Sequence, residues 1–207
     1  MNEDPIPINL AVEDSLTESL ALKLLKSFGD RYARRTVYSR GGNSYLRSSI
    51  NGFNNAAKGI PFLVGTDLDQ YECAPALIDH WLHTPKHPNL LIRVAVREAE
   101  AWVLADRDSF AKFLGIRAVL VPADVEALPN PKATLIALAR KSKRKNLRDD
   151  LCPRDGSTSK IGPNYNGQLD RFVSEIWNPH TAKLNSNSLK RTMDRLAAFT
   201  PTWANRA

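Results

Sequence analysis

Ile60-Pro61-Phe62-Leu63-Val64-Gly65-Thr66-Asp67-Leu68-Asp69-Gln70 sets a short apolar run directly against two carboxylates. A run as brief as Phe62-Leu63-Val64 suits a strand buried on both faces, the kind found in parallel sheets. In open α/β sheets, ligands bind beyond the carboxyl ends of such strands. Asp67 and Asp69 therefore stand where a ligand would. Carboxylates crowded together repel unless a cation lies between them. Donors that are all oxygen favour a hard divalent ion, Mg²⁺ or Mn²⁺. The plainer alternative is a loop in which one aspartate caps the next helix.

Working outward, Ile6 to Val12 reads as a first strand that ends at Glu13. Ser15, with Glu18 three residues on, has the pattern of a helix N-cap and its reciprocal partner. That helix runs through Leu20, Leu24, Leu25 and Phe28 and stops at Gly29-Asp30. Thr36 to Ser39 forms a short strand, followed by Arg40-Gly41-Gly42-Asn43, an ordinary turn or a cradle of backbone N–H groups for a phosphate. A polar helix, Tyr45 to Lys58, leads into the opening stretch. Beyond it come a helix, Ala74 to Leu82, a strand, Leu90 to Val96, and a helix, Arg97 to Asp106. This alternation predicts an α/β fold over residues 1–118: a mostly parallel sheet with helices on both faces. Right-handed crossovers would bring the strand ends, with Glu13, Asp67, Asp69, Glu98 and Glu100, to one edge. Glu98 and Glu100 point apart on a continuous helix, so both reach the site only if the strand-to-helix junction relaxes that geometry.

Residues 119–207 change in character and predict a mainly helical, basic C-terminal part. Lys132 to Arg148 reads as one basic helix, densest at Lys141-Ser142-Lys143-Arg144-Lys145. A Gly- and Ser-rich loop, Arg154 to Pro163, carries Lys160. Helices at Gln168 to Trp177 and Ser188 to Phe199 close the chain, with Trp177 and Trp203 assigned to the core.

At 43% hydrophobic and 25% charged residues, the 207-residue chain has the composition of an ordinary globular protein. No apolar run reaches the ~18 residues of a membrane span, and the acidic start, Met1 to Pro5, is no signal peptide. Cys73 and Cys152 are too few and too far apart for a disulfide framework or a structural zinc site, which fits a reducing cytoplasm. His80, His83 and His87 flank a turn without zinc-ligand spacing and read as surface or capping residues. The net charge of +7 points to an anionic partner, nucleic acid first. Arg40, Arg97, Lys132, Lys141, Lys143, Arg144 and Lys160 are the candidate contacts to its backbone or scissile phosphate.

Three stretches carry a resemblance to the Toprim family: Val12-Glu13-Asp14, Gly65-Thr66-Asp67-Leu68-Asp69, and Val96-Arg97-Glu98-Ala99-Glu100-Ala101-Trp102. Asn130-Pro131-Lys132 and Gly162-Pro163-Asn164-Tyr165-Asn166 look like later landmarks of small bacterial Toprim-like proteins related to OLD-type nucleases. The resemblance implies that Asp67 and Asp69 hold Mg²⁺ and that Glu13 is a ligand or acid/base group. It also implies that Glu98 or Glu100 completes a second metal position. Asp14 stands where the family usually has glycine, and Thr17 where OLD-like enzymes place a second acid. The expected function is metal-dependent nucleic-acid cleavage in bacterial defence against phage, with an ATPase as a candidate protein partner. The alternative is a non-catalytic metal- or partner-binding subunit of a larger defence or DNA-processing complex.

Overall fold

The computed structural model describes residues 4–39 and 41–203. The chain divides into two compact units, Met1–Ala95 with Arg191–Ala207, and Val96–Lys190. Among the described residues, no helix is long and apolar enough to cross a membrane.

The first unit is a parallel α/β sheet built in the order β1 (Ile6–Val12), α1 (Ser15–Lys26), β2 (Tyr32–Tyr38), α2 (Gly42–Ala56), β3 (Phe62–Asp67), α3 (Ala74–Trp81) and β4 (Leu90–Ala95). The strands lie in the order β2-β1-β3-β4, all parallel. In β1 the five residues Ile8 to Val12 are buried in succession, and in β3 the first five are. Consecutive burial requires cover on both faces, which explains why the central strands read as mainly apolar runs rather than alternating ones. From β1 the chain steps outward to β2, then returns past β1 to β3. With right-handed crossovers, α1 covers one face and α2 and α3 the other. The β1–β3 seam is thus the point where the strand order reverses, and folds of this class bind ligands in a crevice beyond the carboxyl ends at that point.

Register fixes what stands at that crevice. Val12 is level with Gly65, so the next residue, Glu13, falls beside Thr66 and Asp67. The β1–β2 pairing slips between Ile8 and Leu10, where the buried Asn9 accepts a hydrogen bond from Thr36 N at 3.1 Å through its Oδ1. A side-chain amide thus satisfies a backbone group that the bulge would leave unpaired. The C-terminal residues return to this unit. Asn89 and Thr202 exchange two hydrogen bonds of 2.8 Å, and Arg31 Nη2 donates to Phe199 O. Trp203, assigned to the core from its type, is instead 48% exposed: it follows the last helix and packs in no layer.

The second unit is helical: α4 (Ala99–Ala105), α5 (Arg107–Leu114), α6 (Pro131–Arg140), α7 (Lys145–Leu151), α8 (Tyr165–Glu175) and α9 (Pro179–Ala182). The last helix, α10 (Asn187–Ala197), begins in this unit and ends in the first. The unit has its own core, in which Phe110, Phe113 and Phe172 meet edge to face or tilted with ring centroids 5.0–6.4 Å apart. Trp177 is fully buried, and its indole N–H donates to Trp102 O at 3.0 Å. The helices α4 and α5, which the alternating pattern groups with the sheet, belong to this unit. The single basic helix expected over Lys132 to Arg148 is two helices, α6 and α7. Ser142 interrupts it: buried at 2% exposure, it donates its hydroxyl to Leu114 O and accepts from Arg144 N. A serine that bonds nearby backbone in this way competes with helix continuation.

Candidate functional site

The carboxyl end of the β1–β3 seam is assembled from three connections of the first unit, those leaving β1, β2 and β3. Leaving β1, the chain enters α1 through Asp14, whose Oδ1 accepts from both Thr17 N and Thr17 Oγ1 at 2.8 Å. The N-cap is therefore Asp14, one residue before the expected Ser15. With an extended backbone at Asp14, its carboxylate reaches the Thr17 N–H three residues on. Asp14 is engaged at the helix start, which leaves Glu13 as the acidic group that turns towards β3. Its Oε2 accepts from Thr66 Oγ1 at 3.0 Å and from Asp67 N at 3.3 Å.

Burial raises the Glu13 pKa above the ordinary carboxyl value. The hydrogen bonds from Thr66 and Asp67 pull it down, while the negative charges of Asp69 and Asp14 push it further up. Both charges that bear on Glu13 have its own sign. Gly65 allows α1 to come this close: a Cβ there would sit 2.8 Å from the Thr17 methyl, a contact that neither group can relieve by a small rotation.

Asp67 ends β3, and Leu68 extends the ladder by donating to Ala95 O at 2.9 Å while its side chain is buried at 3% exposure. Asp69 then takes a left-handed backbone, φ 50°, a conformation that Asp tolerates better than most residues. Its Oδ2 accepts from Asn43 Nδ2 at 3.1 Å, a residue in the first turn of α2. Gly41 and Gly42 precede it with φ of 76° and 65°, so the chain reaches Asn43 through a turn that needs glycine twice. Arg40, the candidate phosphate contact of this turn, lies outside the described residues.

In the second unit, the expected ligands Glu98 and Glu100, at the start of α4, are bonded to residues of other helices of that unit. Glu98 stands just before α4, and its Oε2 accepts from Lys132 N at 2.8 Å, in the first turn of α6. Glu100 is 2% exposed. Its Oε1 accepts from Tyr165 OH at 2.9 Å and faces Lys132 Nζ at 3.3 Å. Burial raises the Glu100 pKa, with Lys132 and Tyr165 pulling against it and Glu98 adding to it. Lys132, expected to contact nucleic acid, is the countercharge of this carboxylate. Arg97 is partly exposed at the start of the unit, and Lys141, Lys143, Arg144 and Lys160 are exposed on its surface. The residues missed by sequence reasoning are Thr66, Asn43 and, in this second cluster, the partnering role of Tyr165. Thr66 adjoins the acidic pair, and Asn43 follows a Gly-Gly turn, which are the signals that would have found them.

The acids of the first unit, Glu13, Asp67 and Asp69, carry only hard oxygen donors, the kind that Mg²⁺ or Mn²⁺ prefers, while Asn43 meets Asp69 as an N–H donor. Among the described residues, no group of three or more His, Cys, Asp or Glu side chains is placed to hold a metal ion together. Mg²⁺ commonly keeps several waters and takes one or two carboxylates together with substrate phosphates. No protein-family model, curated protein or solved structure matches the chain.

Proposed function

We propose that the sheet unit is a Toprim-like, Mg²⁺-dependent phosphodiester hydrolase acting on nucleic acid, DNA ahead of RNA. The observation that carries this reading is the Glu13 carboxylate seated on Thr66 and the Asp67 N–H, at the seam where the strand order reverses. There, carboxylates more than fifty residues apart in sequence converge on the crevice that such folds use for ligands. A divalent ion bound to them would lower the pKa of a water and polarise a phosphate. Asp67 and Asp69 would anchor the ion, and Asn43 would keep the Asp69 carboxylate turned into the crevice. Glu13, its proton affinity raised by burial and by like charge, would hold or move a proton at Oε1, the oxygen not bonded to Thr66. The net charge of +7 and the exposed Lys141, Lys143, Arg144 and Lys160 support an anionic polymer as substrate. The resemblance carried by Glu13 and Asp67-Leu68-Asp69 supports the same chemistry and a role in defence against foreign DNA.

The test is incubation with plasmid, single-stranded DNA and RNA in Mg²⁺, Mn²⁺ or chelator, alongside Asp67→Ala. Cleavage that requires metal and disappears in the variant is the expected result. Binding without cleavage, unchanged by the substitution, overturns the hydrolase in favour of a non-catalytic subunit.

A further inference from the structure

A hollow of about 520 Å³ in the helical unit is lined by Arg140, Arg148 and Arg154 together with Asp149, Asp150 and Asp155. Opposite charges in equal number ordinarily pair, yet among the described residues none of these arginines makes an ion pair within 4.0 Å. Asp150 is engaged elsewhere: its Oδ2 accepts from Gln168 Nε2 at 2.6 Å and Asn164 Nδ2 at 3.4 Å. Asp149 and Asp155 are exposed. Arg148 is fixed in place because Nη1 donates to Ser142 O at 3.0 Å, and Ser142 is itself buried and bonded to Leu114 O. The other guanidinium N–H groups of Arg148 remain for a ligand. Arg140 and Arg148 line the hollow together with the buried Cys152. The adjoining segment from Arg140 to Arg148 adds Lys141, Lys143, Arg144 and Lys145 and contains no acid.

We propose that this hollow is a phosphate-monoester subsite that takes the terminal phosphate of a nucleic-acid strand, while Lys141 to Lys145 follow the adjoining backbone. The inference deepens the nucleic-acid reading of this chain and rests on it. A terminal phosphate offers three free oxygens and close to two negative charges at neutral pH, which match guanidinium groups able to bind in bidentate fashion. An internal phosphodiester offers two oxygens and one charge.

The experiment measures binding of the full chain, in chelator so that nothing is cleaved, to one single-stranded oligonucleotide prepared with a 5′-phosphate, with a 3′-phosphate, or with neither. Wild type is expected to bind one phosphorylated form about tenfold tighter than the unphosphorylated one, the scale of a charge-assisted contact, with millimolar inorganic phosphate removing that advantage. R140Q/R154Q is expected to lose the preference while keeping wild-type circular dichroism. Should that double variant fail to fold, phosphate competition against wild type decides the same question. Equal affinity for all three oligonucleotides, or a preference untouched by R140Q/R154Q and by inorganic phosphate, overturns the subsite. Metal-dependent cleavage without any end preference sinks the subsite alone, whereas end preference without cleavage sinks the hydrolase alone. Absence of any nucleic-acid binding sinks both.

Discussion

The two acidic pairs of this protein share a spacing and little else. Asp67 and Asp69 sit at the end of a buried parallel strand, one on each side of an inward-facing leucine, with Glu13 brought in from the neighbouring strand. Glu98 and Glu100 sit at the start of α4 and reach into a helical unit that supplies their partners, a lysine, a tyrosine and a helix N-terminus. A carboxylate that the fold itself neutralises joins elements together. A group of carboxylates whose charges bear on one another, as Asp69 and Asp14 bear on Glu13, is held together against like-charge repulsion. The same residue type thus belongs to structure in one unit and to candidate chemistry in the other.

The sharpest way to break this contrast is to neutralise one member of each group. Asp67→Asn is expected to lower metal-dependent cleavage by about a thousandfold, a loss comparable to removing a principal source of transition-state charge stabilisation. It should also abolish any rise in melting temperature on adding Mg²⁺, with the metal-free melting temperature little changed. A variant that cleaves like wild type would dissolve the distinction between the two pairs. Lys132→Met tests the other side. It leaves Glu100 buried without its countercharge and should destabilise by about 2–3 kcal/mol, below the ~3–5 of a fully buried pair because Lys132 is partly exposed. Denaturant titration reads this effect. Cleavage per folded molecule should hold.

Gly65→Ala forces a Cβ against the Thr17 methyl and should cost about 1–3 kcal/mol, the usual range for overpacking. Because the displaced element carries Asp14 and adjoins Glu13, Mg²⁺ affinity by calorimetry should fall with it. A stability loss with unchanged affinity would detach Glu13 from the metal. The smallest effect is the pH dependence of stability. The folded-state pKa of Glu100 is raised by burial, so its contribution is fully present below the unfolded carboxyl pKa and is lost as pH rises through the folded value. Thermal melts in chelator should therefore weaken from acid towards neutral pH at this group, and Glu100→Gln should flatten that slope. A steeper slope in the variant would mean that Lys132 outweighs burial.

The sheet was largely legible. The runs at Ile6 to Val12, Phe62 to Val64 and Leu90 to Ala95 are apolar at every or nearly every position because both faces are covered, and burial on that scale leaves a local signature. Helix ends were less so. The cap of α1 moved from Ser15 to Asp14, and the basic helix broke at Ser142, since each depends on which side chain reaches a particular backbone group. Glu98 and Glu100 looked like ligands because an acid two residues from another at a strand end is the same string whether its partner is a cation or a lysine.

By itself the sequence determined the parallel α/β layering, the helical character of the remainder, the surplus of positive charge, and the placing of Glu13 and Asp67 at strand ends. These follow from periodicity and from local apolar content, which one segment carries alone. Only the tertiary structure decided that β1 and β3 are neighbours across the reversal of strand order, and that Thr66 and Asn43 join the acids there. It alone decided too that Lys132 and Tyr165 claim Glu100. Such pairings depend on contacts between residues 26 to 65 positions apart, whose energies no single window of sequence contains.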